Sequence, residues 1–192
     1  MVANSLKVLA LCGSQRSGSY NQKLLDASSL VLTNLGIAVS TLSISKDTLP
    51  VYSHDISVSK ATLDTVTDLR SQIGAANGLI VCSPQFNGSI PPYLKNIIDW
   101  TAPPHQSEGA TNVFKDKVIC LLGAARGTST CLGGLAHLST VFGFLGSIIV
   151  PQYYGISQAE KAMSDTGGIV DEKIAANLNN YLNSFHALLK KF

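Results

Sequence analysis

CGSQRSGSYN, residues 12–21, stands where an apolar run of strand length ends and a helical pattern begins. The glycines and serines of this stretch allow a tight bend that turns several backbone N–H groups toward one point. The N-terminus of the following helix adds the positive end of its dipole, and the guanidinium of Arg16 adds a fixed pattern of donors. The stretch therefore predicts a phosphate-binding turn between a strand and a helix, with an ordinary serine-rich loop as the alternative.

Apolar runs of strand length alternate with helical patterns along the whole chain. The predicted strands are residues 7–12, 37–44, 78–82, 117–122 and 147–150. Helical spacing of apolar residues runs through 24–35, 59–76, 92–100, 132–145 and 170–191. Most of these strands are continuously apolar, which is typical of parallel strands covered on both faces. We therefore expect a doubly wound α/β fold, a five-stranded parallel sheet of order 2-1-3-4-5 with helices on both faces.

Composition limits the classes of protein that need to be considered. The 192 residues are 45% hydrophobic and 14% charged, which suits one large domain over residues 1–192. The net charge of +2 comes from scattered residues, so neither a nucleic acid nor an anionic membrane is an expected partner. No stretch has the roughly 18 apolar residues of a membrane span, and no cleavage signal precedes the first strand, so we expect a cytoplasmic protein. The four cysteines lack Cys-x-x-Cys spacing and are expected to be reduced thiols at the edge of the core.

Three loops rich in small residues follow predicted strands, at residues 12–21, 83–92 and 123–130. In the expected strand order they are neighbours at the carboxyl edge of the sheet, where such folds bind ligands. The first loop lacks the lysine that nucleoside triphosphatases place after the second glycine of their phosphate loop, and it has Gln15 where the dinucleotide-binding fingerprint requires glycine. A site for a single terminal phosphate, such as that of FMN, remains.

Two motifs carry a resemblance to a known family. GSQRSGSYN, residues 13–21, and SPQFNGSIPPYLKNIIDW, residues 83–100, resemble the signatures of the NAD(P)H-dependent FMN reductases, a family that includes quinone, chromate and azo-dye reductases. The resemblance covers nearly the whole chain. It implies a flavodoxin-like fold, FMN as cofactor, NADPH or NADH as hydride donor, and ping-pong transfer to a small-molecule oxidant. It also implies a homodimer or homotetramer with the flavin at the dimer interface.

The resemblance further implies which residues bind FMN. The phosphate and ribityl chain would be held by Ser14, Arg16, Ser19, Tyr20 and Asn21. The edge of the isoalloxazine ring would lie along the backbone of Pro84, Gln85, Phe86 and Asn87. Gly127 and its neighbours, Ala124 among them, would line the pyrimidine end of the ring. No catalytic acid or base and no metal ion is required, and the dispersed histidines are expected on the surface or on helix faces.

The sequence departs from the family pattern in two loops. Gln85 and Phe86 stand where the family commonly has glutamate and tyrosine, and Ala124 and Ala125 stand where it usually has serines. Arg126 either replaces those serines in part or faces the solvent. These changes are expected to alter the electrostatic field at the flavin more than its binding.

Two other functions compete with the reductase interpretation. One is an electron carrier or flavin sensor that works through a partner without catalysis, although such carriers tend to be strongly acidic and this chain is not. The other is a related fold that has lost its flavin. The sequence leaves open the oxidant, the choice between NADPH and NADH, and whether the apolar segment 141–146 belongs to the core or to a subunit interface.

Overall fold

A computed structural model describes residues 6–42, 49–102 and 112–192, in which short parallel strands alternate with helices. The strands are β1 (Lys7–Cys12), β2 (Ala38–Thr41), β3 (Gly78–Cys82), β4 (Val118–Ala124), β5 (Ile148–Ile149) and β6 (Tyr154–Ile156). The helices are α1 (Tyr20–Asn34), α2 (Lys60–Ala75), α3 (Pro92–Thr101), α4 (Leu132–Phe144), α5 (Ala159–Ala162) and α6 (Glu172–Leu189). Parts of the predicted strand 37–44 and of the irregular segments 46–60 and 101–113, together with His105, lie outside the described residues.

The parallel sheet has the order β2-β1-β3-β4-β5, so the expected doubly wound, flavodoxin-like order is confirmed. A sixth strand, β6, also pairs with β4, beyond the end of β5. The expected fifth strand stops after two residues because Pro151 cannot donate to the ladder and Gln152 has a φ of 65°. The chain then returns to the edge of β4, where it forms β6. Because β6 pairs with residues from Leu122 to Ala124, β4 extends into the stretch predicted as a loop.

The sheet is buried between two layers of helices. Helices α1 and α6 cover one face, and α2, α3 and α4 cover the other. Every residue of β3 and β4 is buried, which explains why their sequences are apolar without alternation. One residue predicted on the buried face of α2, Leu63, is 41% exposed, because the buried side of that helix is confined to Val66, Leu69 and Ile73.

Backbone hydrogen bonds bring the starts of the first two loops together. The N–H of Gly13 donates to the carbonyl of Cys82 at 2.8 Å, and the N–H of Ser83 donates to that of Leu122 at 2.8 Å. A Cβ on Gly13 would lie 3.0 Å from both Leu94 Cδ2 and Ser83 Oγ, so a larger residue here would require these side chains to shift. The sheet ladder thus continues into the loops and fixes their relative positions.

The four cysteines all lie in the described part of the chain, and none is disulfide-bonded. Burial raises the pKa of the Cys82 and Cys131 thiols, which keeps them protonated at neutral pH. Within the described ranges, no cluster of histidine, cysteine or acidic side chains is arranged to hold a metal ion. No helix in those ranges combines the length and apolar character needed to cross a bilayer.

Candidate functional site

A cleft of about 570 Å³ opens at the carboxyl ends of β1, β3 and β4, bounded by the three loops and the start of α3. Its volume is that of a typical small-molecule site. Most of the residues predicted from the sequence line it: Ser14, Arg16, Ser19, Tyr20, Asn21, Pro84, Gln85, Phe86 and Ala124. Asn87 and Gly127 belong to the same loops but are not among the residues that line the cleft.

A smaller cavity of about 380 Å³ lies in the first loop itself, enclosed by residues 14–19 together with Gln22 and Lys23. Helix α1 begins beside it, with the Ser19 hydroxyl accepting from the Asn21 N–H at 3.2 Å and with no acidic residue in the first turn. Among the described residues that line this cavity or the cleft, none is acidic, and the charged ones are arginines and a lysine. We call this smaller cavity the anion cradle, because its charge and its helix N-terminus favour a negative group.

Two cations of the anion cradle are held by the ring of Tyr20. The Arg16 guanidinium carbon lies 5.9 Å from the ring centroid, and Lys23 Nζ lies 5.5 Å from it. Lys23 also donates a hydrogen bond to the carbonyl of Ser164 at 3.1 Å. Contacts of this kind stabilise a cation over an aromatic face by about 0.5–1 kcal/mol at exposed sites, so they favour positions of both cations beside the cradle.

Asn21 joins the first loop to the end of β4. Its Nδ2 donates to the carbonyl of Ala124 at 2.9 Å, and its Oδ1 accepts from the N–H of the same residue at 2.9 Å. The side chain is only 4% exposed. The polar atoms of Asn21 and the backbone groups of Ala124 are therefore already paired, and the two residues shape the cleft by joining its walls.

The second loop is a tight turn. Phe86 and Ser89 exchange two backbone hydrogen bonds, at 3.0 and 2.9 Å, across Asn87 and Gly88, whose φ angles are 50° and 83°. Two central residues at positive φ are typical of a type I′ turn, which explains the Asn-Gly pair. Phe86 is 53% exposed at the edge of the cleft. The side chain of Gln85 is bonded to α4, where its Oε1 accepts from the N–H of Gly134 at 3.0 Å.

The third loop places Arg126 at the rim of the cleft. Its guanidinium pairs with Glu160 of α5 at 2.8 Å, and the pair raises the pKa of Arg126 and lowers that of Glu160. Arg126 is therefore largely exposed but held in an ion pair, an arrangement that the sequence did not indicate. The carbonyl of Gly127 accepts from the N–H of Gln158 at 2.7 Å, which ties this part of the loop to the segment before α5.

Sequence reasoning missed several lining residues, of which Gln15, Tyr93 and Cys131 are chemically the most notable. Gln15 lines both the cleft and the anion cradle, and its amide interacts with the phenol of Tyr93. Tyr93 lies in the first turn of α3, inside the second motif, so its position after the loop was a usable signal. Burial raises the pKa of the Tyr93 phenol, which therefore remains a donor. Cys131 has a φ of 59°, which nothing in the sequence indicates.

The residues present fit FMN. The group carries a phosphate, for which the anion cradle offers serine hydroxyls, a helix N-terminus and two cations, with no carboxylate among its described lining residues. It also carries a planar ring with polar edges, for which the adjoining cleft offers apolar walls and backbone groups. The amide of Gln15 and the phenol of Tyr93 interact with each other on the lining of this cleft and add polar groups to it.

Comparisons with known proteins give the same result. Residues 6–161 match the family model described as NADPH-dependent FMN reductase. The chain is 30% identical over 194 residues to an NAD(P)H-dependent FMN reductase of Pseudomonas aeruginosa, covering 99% of this chain and 98% of the relative. It is 32% identical to an NAD(P)H:quinone oxidoreductase of Solanum tuberosum, covering 97% of this chain and 94% of the relative.

A solved structure is also similar. FerB, described as a flavoenzyme NAD(P)H:(acceptor) oxidoreductase of Paracoccus denitrificans, superposes with a TM-score of 0.81 at 25% identity, covering 97% of this chain and 98% of that one. The family expected from the two motifs is confirmed by the family model, which spans most of the chain. The chain belongs to the NADPH-dependent FMN reductase family and is an oxidoreductase.

Proposed function

We propose that this protein binds FMN in the cleft and passes reducing equivalents from NADPH or NADH to a small oxidant in ping-pong order. The oxidant is a quinone or a similar compound, such as free flavin, chromate or an azo compound. The observation that carries the proposal is the anion cradle, which is free of acidic side chains among the described residues and adjoins a cleft of the right size. When bound, FMN supplies the redox chemistry, taking up a hydride and releasing its electrons to the oxidant.

The first loop holds and orients the phosphate. Arg16 provides a charge-assisted donor, Ser14 and Ser19 provide hydroxyl groups, and Lys23 adds positive charge from the first turn of α1. The Tyr20 ring keeps both cations near the cradle. Because these groups are in place beforehand, little ordering of the protein opposes binding.

The second and third loops accommodate the ring. Pro84 and Phe86 of the second loop and Ala125 of the third loop line the cleft. Tyr93, which stays protonated, interacts with Gln15, and the two side chains line the cleft together. We assign no proton-transfer role to these residues, because hydride transfer from a nicotinamide to a flavin requires no acid or base from the protein.

The nicotinamide and the oxidant can bind one after the other at the open side of the cleft. Phe86 presents an exposed aromatic surface there, against which a nicotinamide and then a planar oxidant can lie. Arg16 and Arg126 are the charged side chains among the described lining residues. The positive charge of Arg16 attracts the phosphates of the donor and favours anionic oxidants such as chromate, while that of Arg126 is offset by its ion pair with Glu160.

We also propose that the protein forms a homodimer or homotetramer. Phe86 and Leu132 are exposed beside the cleft, at 53% and 47%. In the apolar segment 141–146, Phe142 is fully buried and Phe144 is 90% exposed, so the segment serves the core and still offers an apolar surface. Exposed aromatic residues of this kind are common at subunit interfaces.

Replacing Arg16 by alanine is expected to weaken FMN binding by about 1.5–3 kcal/mol, the value of a charge-assisted hydrogen bond. This corresponds to an increase in Kd of about tenfold to 150-fold. Quenching of FMN fluorescence during titration of the apoprotein measures the change. Lys60→Ala is the control, because Lys60 lies on α2 in an exposed pair with Asp64. Equal affinity of the wild type and Arg16→Ala would exclude Arg16 from the phosphate site.

A further inference from the structure

Helix α4 begins without a capping side chain of its own. Its N-cap residue, Cys131, has a φ of 59° and makes no side-chain cap. The first N–H groups of a helix have no partner within the helix, and one left unpaired in a buried position is costly. Gly134, in the first turn, is buried, so its N–H needs an acceptor from elsewhere in the chain.

Gln85 supplies that acceptor from the second loop. Its Oε1 lies 3.0 Å from the backbone nitrogen of Gly134, although the two residues are 49 positions apart. We infer that Gln85 is a positioning residue, whose side chain caps α4 and thereby fixes the second loop at the cleft. The tests of this inference that measure FMN affinity, flavin absorption or midpoint potential rest on the proposed binding of FMN.

The first turn of α4 is shaped to receive this side chain. A Cβ on Gly133 would lie 2.9 Å from Gln85 Oε1 and 3.1 Å from the carbonyl oxygen of Gly88. A Cβ on Gly134 would lie 3.0 Å from the carbonyl oxygen of Ser89 and 3.4 Å from Gln85 Cβ. Glycine in a helix costs about 1 kcal/mol relative to alanine. Two consecutive glycines in the first turn are explained by the close approach of the loop.

A second attachment lies one helical turn further along α4. Ser89 Oγ and His137 Nδ1 share a hydrogen bond at 2.9 Å, and Ser89 closes the turn through its two backbone bonds to Phe86. The loop is therefore held at Gln85 and at Ser89, on either side of the exposed Phe86. A loop fixed at both ends presents its backbone to a ligand in one arrangement, which lowers the ordering cost of binding.

The amide at position 85 also affects the charge of the cleft. Gln85 lines the cleft, where the charged side chains among the described lining residues are all arginines. A glutamate there would accept the same hydrogen bond from Gly134, favoured by the helix dipole. It would also add a negative charge, which disfavours the uptake of electrons by a nearby flavin. The glutamine therefore keeps the cap and leaves the cleft positive.

Two substitutions at this position separate the cap from the charge. Gln85→Leu removes the acceptor, and we expect the Kd for FMN to rise about three- to tenfold, as for loss of one hydrogen bond. The visible absorption bands of bound FMN should shift as well, because the loop loses its fixed position. Gln85→Glu restores the acceptor, so its Kd should rise less than that of Gln85→Leu, while its midpoint potential becomes more negative.

A third variant disturbs the hydrogen bond between Gln85 and Gly134 by a substitution on α4. Gly133→Ala places a methyl group against Gln85 Oε1, and we expect it to weaken FMN binding as Gln85→Leu does, even though alanine favours the helix. Gln72→Ala is the matched control, since Gln72 bonds to Asp68 on the exposed side of α2. Wild-type affinity in Gln85→Leu and Gly133→Ala would overturn the inference, as would an equal loss of affinity in Gln85→Glu and Gln85→Leu.

The apoprotein gives an independent readout. Gln85→Leu should lower the midpoint of thermal unfolding by about 2–4 °C, as expected for about 1 kcal/mol in a domain of this size, and Gln85→Glu should not. If wild-type protein failed to bind FMN, the proposed function would fail, and the unfolding midpoints would still decide whether Gln85 caps α4. Equal midpoints in the wild type and Gln85→Leu would overturn the cap.

Discussion

Replacing Asn21 by alanine is expected to lower the free energy of unfolding of the apoprotein by about 2–5 kcal/mol, because two backbone groups lose their partner at once. The N–H and the carbonyl of Ala124 each bond to the Asn21 amide at 2.9 Å, and Ala124 is only 4% exposed. Alanine at position 21 reaches neither group. Equilibrium unfolding in urea, followed by circular dichroism, measures the change.

The control for this experiment is Asn177→Ala, which makes the same substitution at an exposed position of α6. It should alter stability by less than about 0.5 kcal/mol, as is usual for surface substitutions. If Asn21→Ala were as stable as this control, the amide would not be what joins the first loop to β4.

The second large effect concerns the phosphate. FMN is expected to bind more tightly than riboflavin by about 3–6 kcal/mol, the sum of two charge-assisted hydrogen bonds in the anion cradle. The ratio of the two dissociation constants would then be about 10² to 10⁴. Arg16, Lys23 and the N-terminus of α1 lie at the cradle, none of the described residues lining it is acidic, and riboflavin leaves it empty.

Competition by inorganic phosphate provides the control for this comparison. Added phosphate should weaken the binding of FMN and leave that of riboflavin unchanged, because only FMN competes for the cradle. Equal affinities for FMN and riboflavin would show that the cradle does not bind the phosphate. The cofactor would then have to be held by the ring-binding part of the cleft alone.

The strands that could be predicted are those whose burial is uniform along their length. β1 and β3 were predicted with the residues that the structure shows, because both are covered by helices on both faces and read as continuous apolar runs. β6 could not be predicted. It is three residues long, and it contains Gly155, where a Cβ would lie 1.9 Å from the carbonyl oxygen of Thr130. Its strand conformation depends on that close contact and on pairing with β4.

The site was predictable where its chemistry is local. The small residues of the first loop and the Asn-Gly pair of the second have conformational preferences that can be read from neighbouring residues. Asn21 and Gln85 were predicted to belong to the site, but their hydrogen bonds could not be predicted from the sequence. The backbone groups to which they bond lie 103 and 49 positions away along the chain. The contact between Gln15 and Tyr93 likewise could not be predicted, because the two residues are far apart in the sequence.

The most direct test of the proposed function is anaerobic titration of FMN-loaded protein with NADPH and, separately, with NADH. We predict that at least one of them bleaches the visible flavin absorbance stoichiometrically, and that a quinone added afterwards restores it with the nicotinamide already removed. Restoration under those conditions is the behaviour expected of ping-pong transfer. Protein that binds FMN but is bleached by neither nicotinamide would contradict the proposal, as would protein that takes up no FMN.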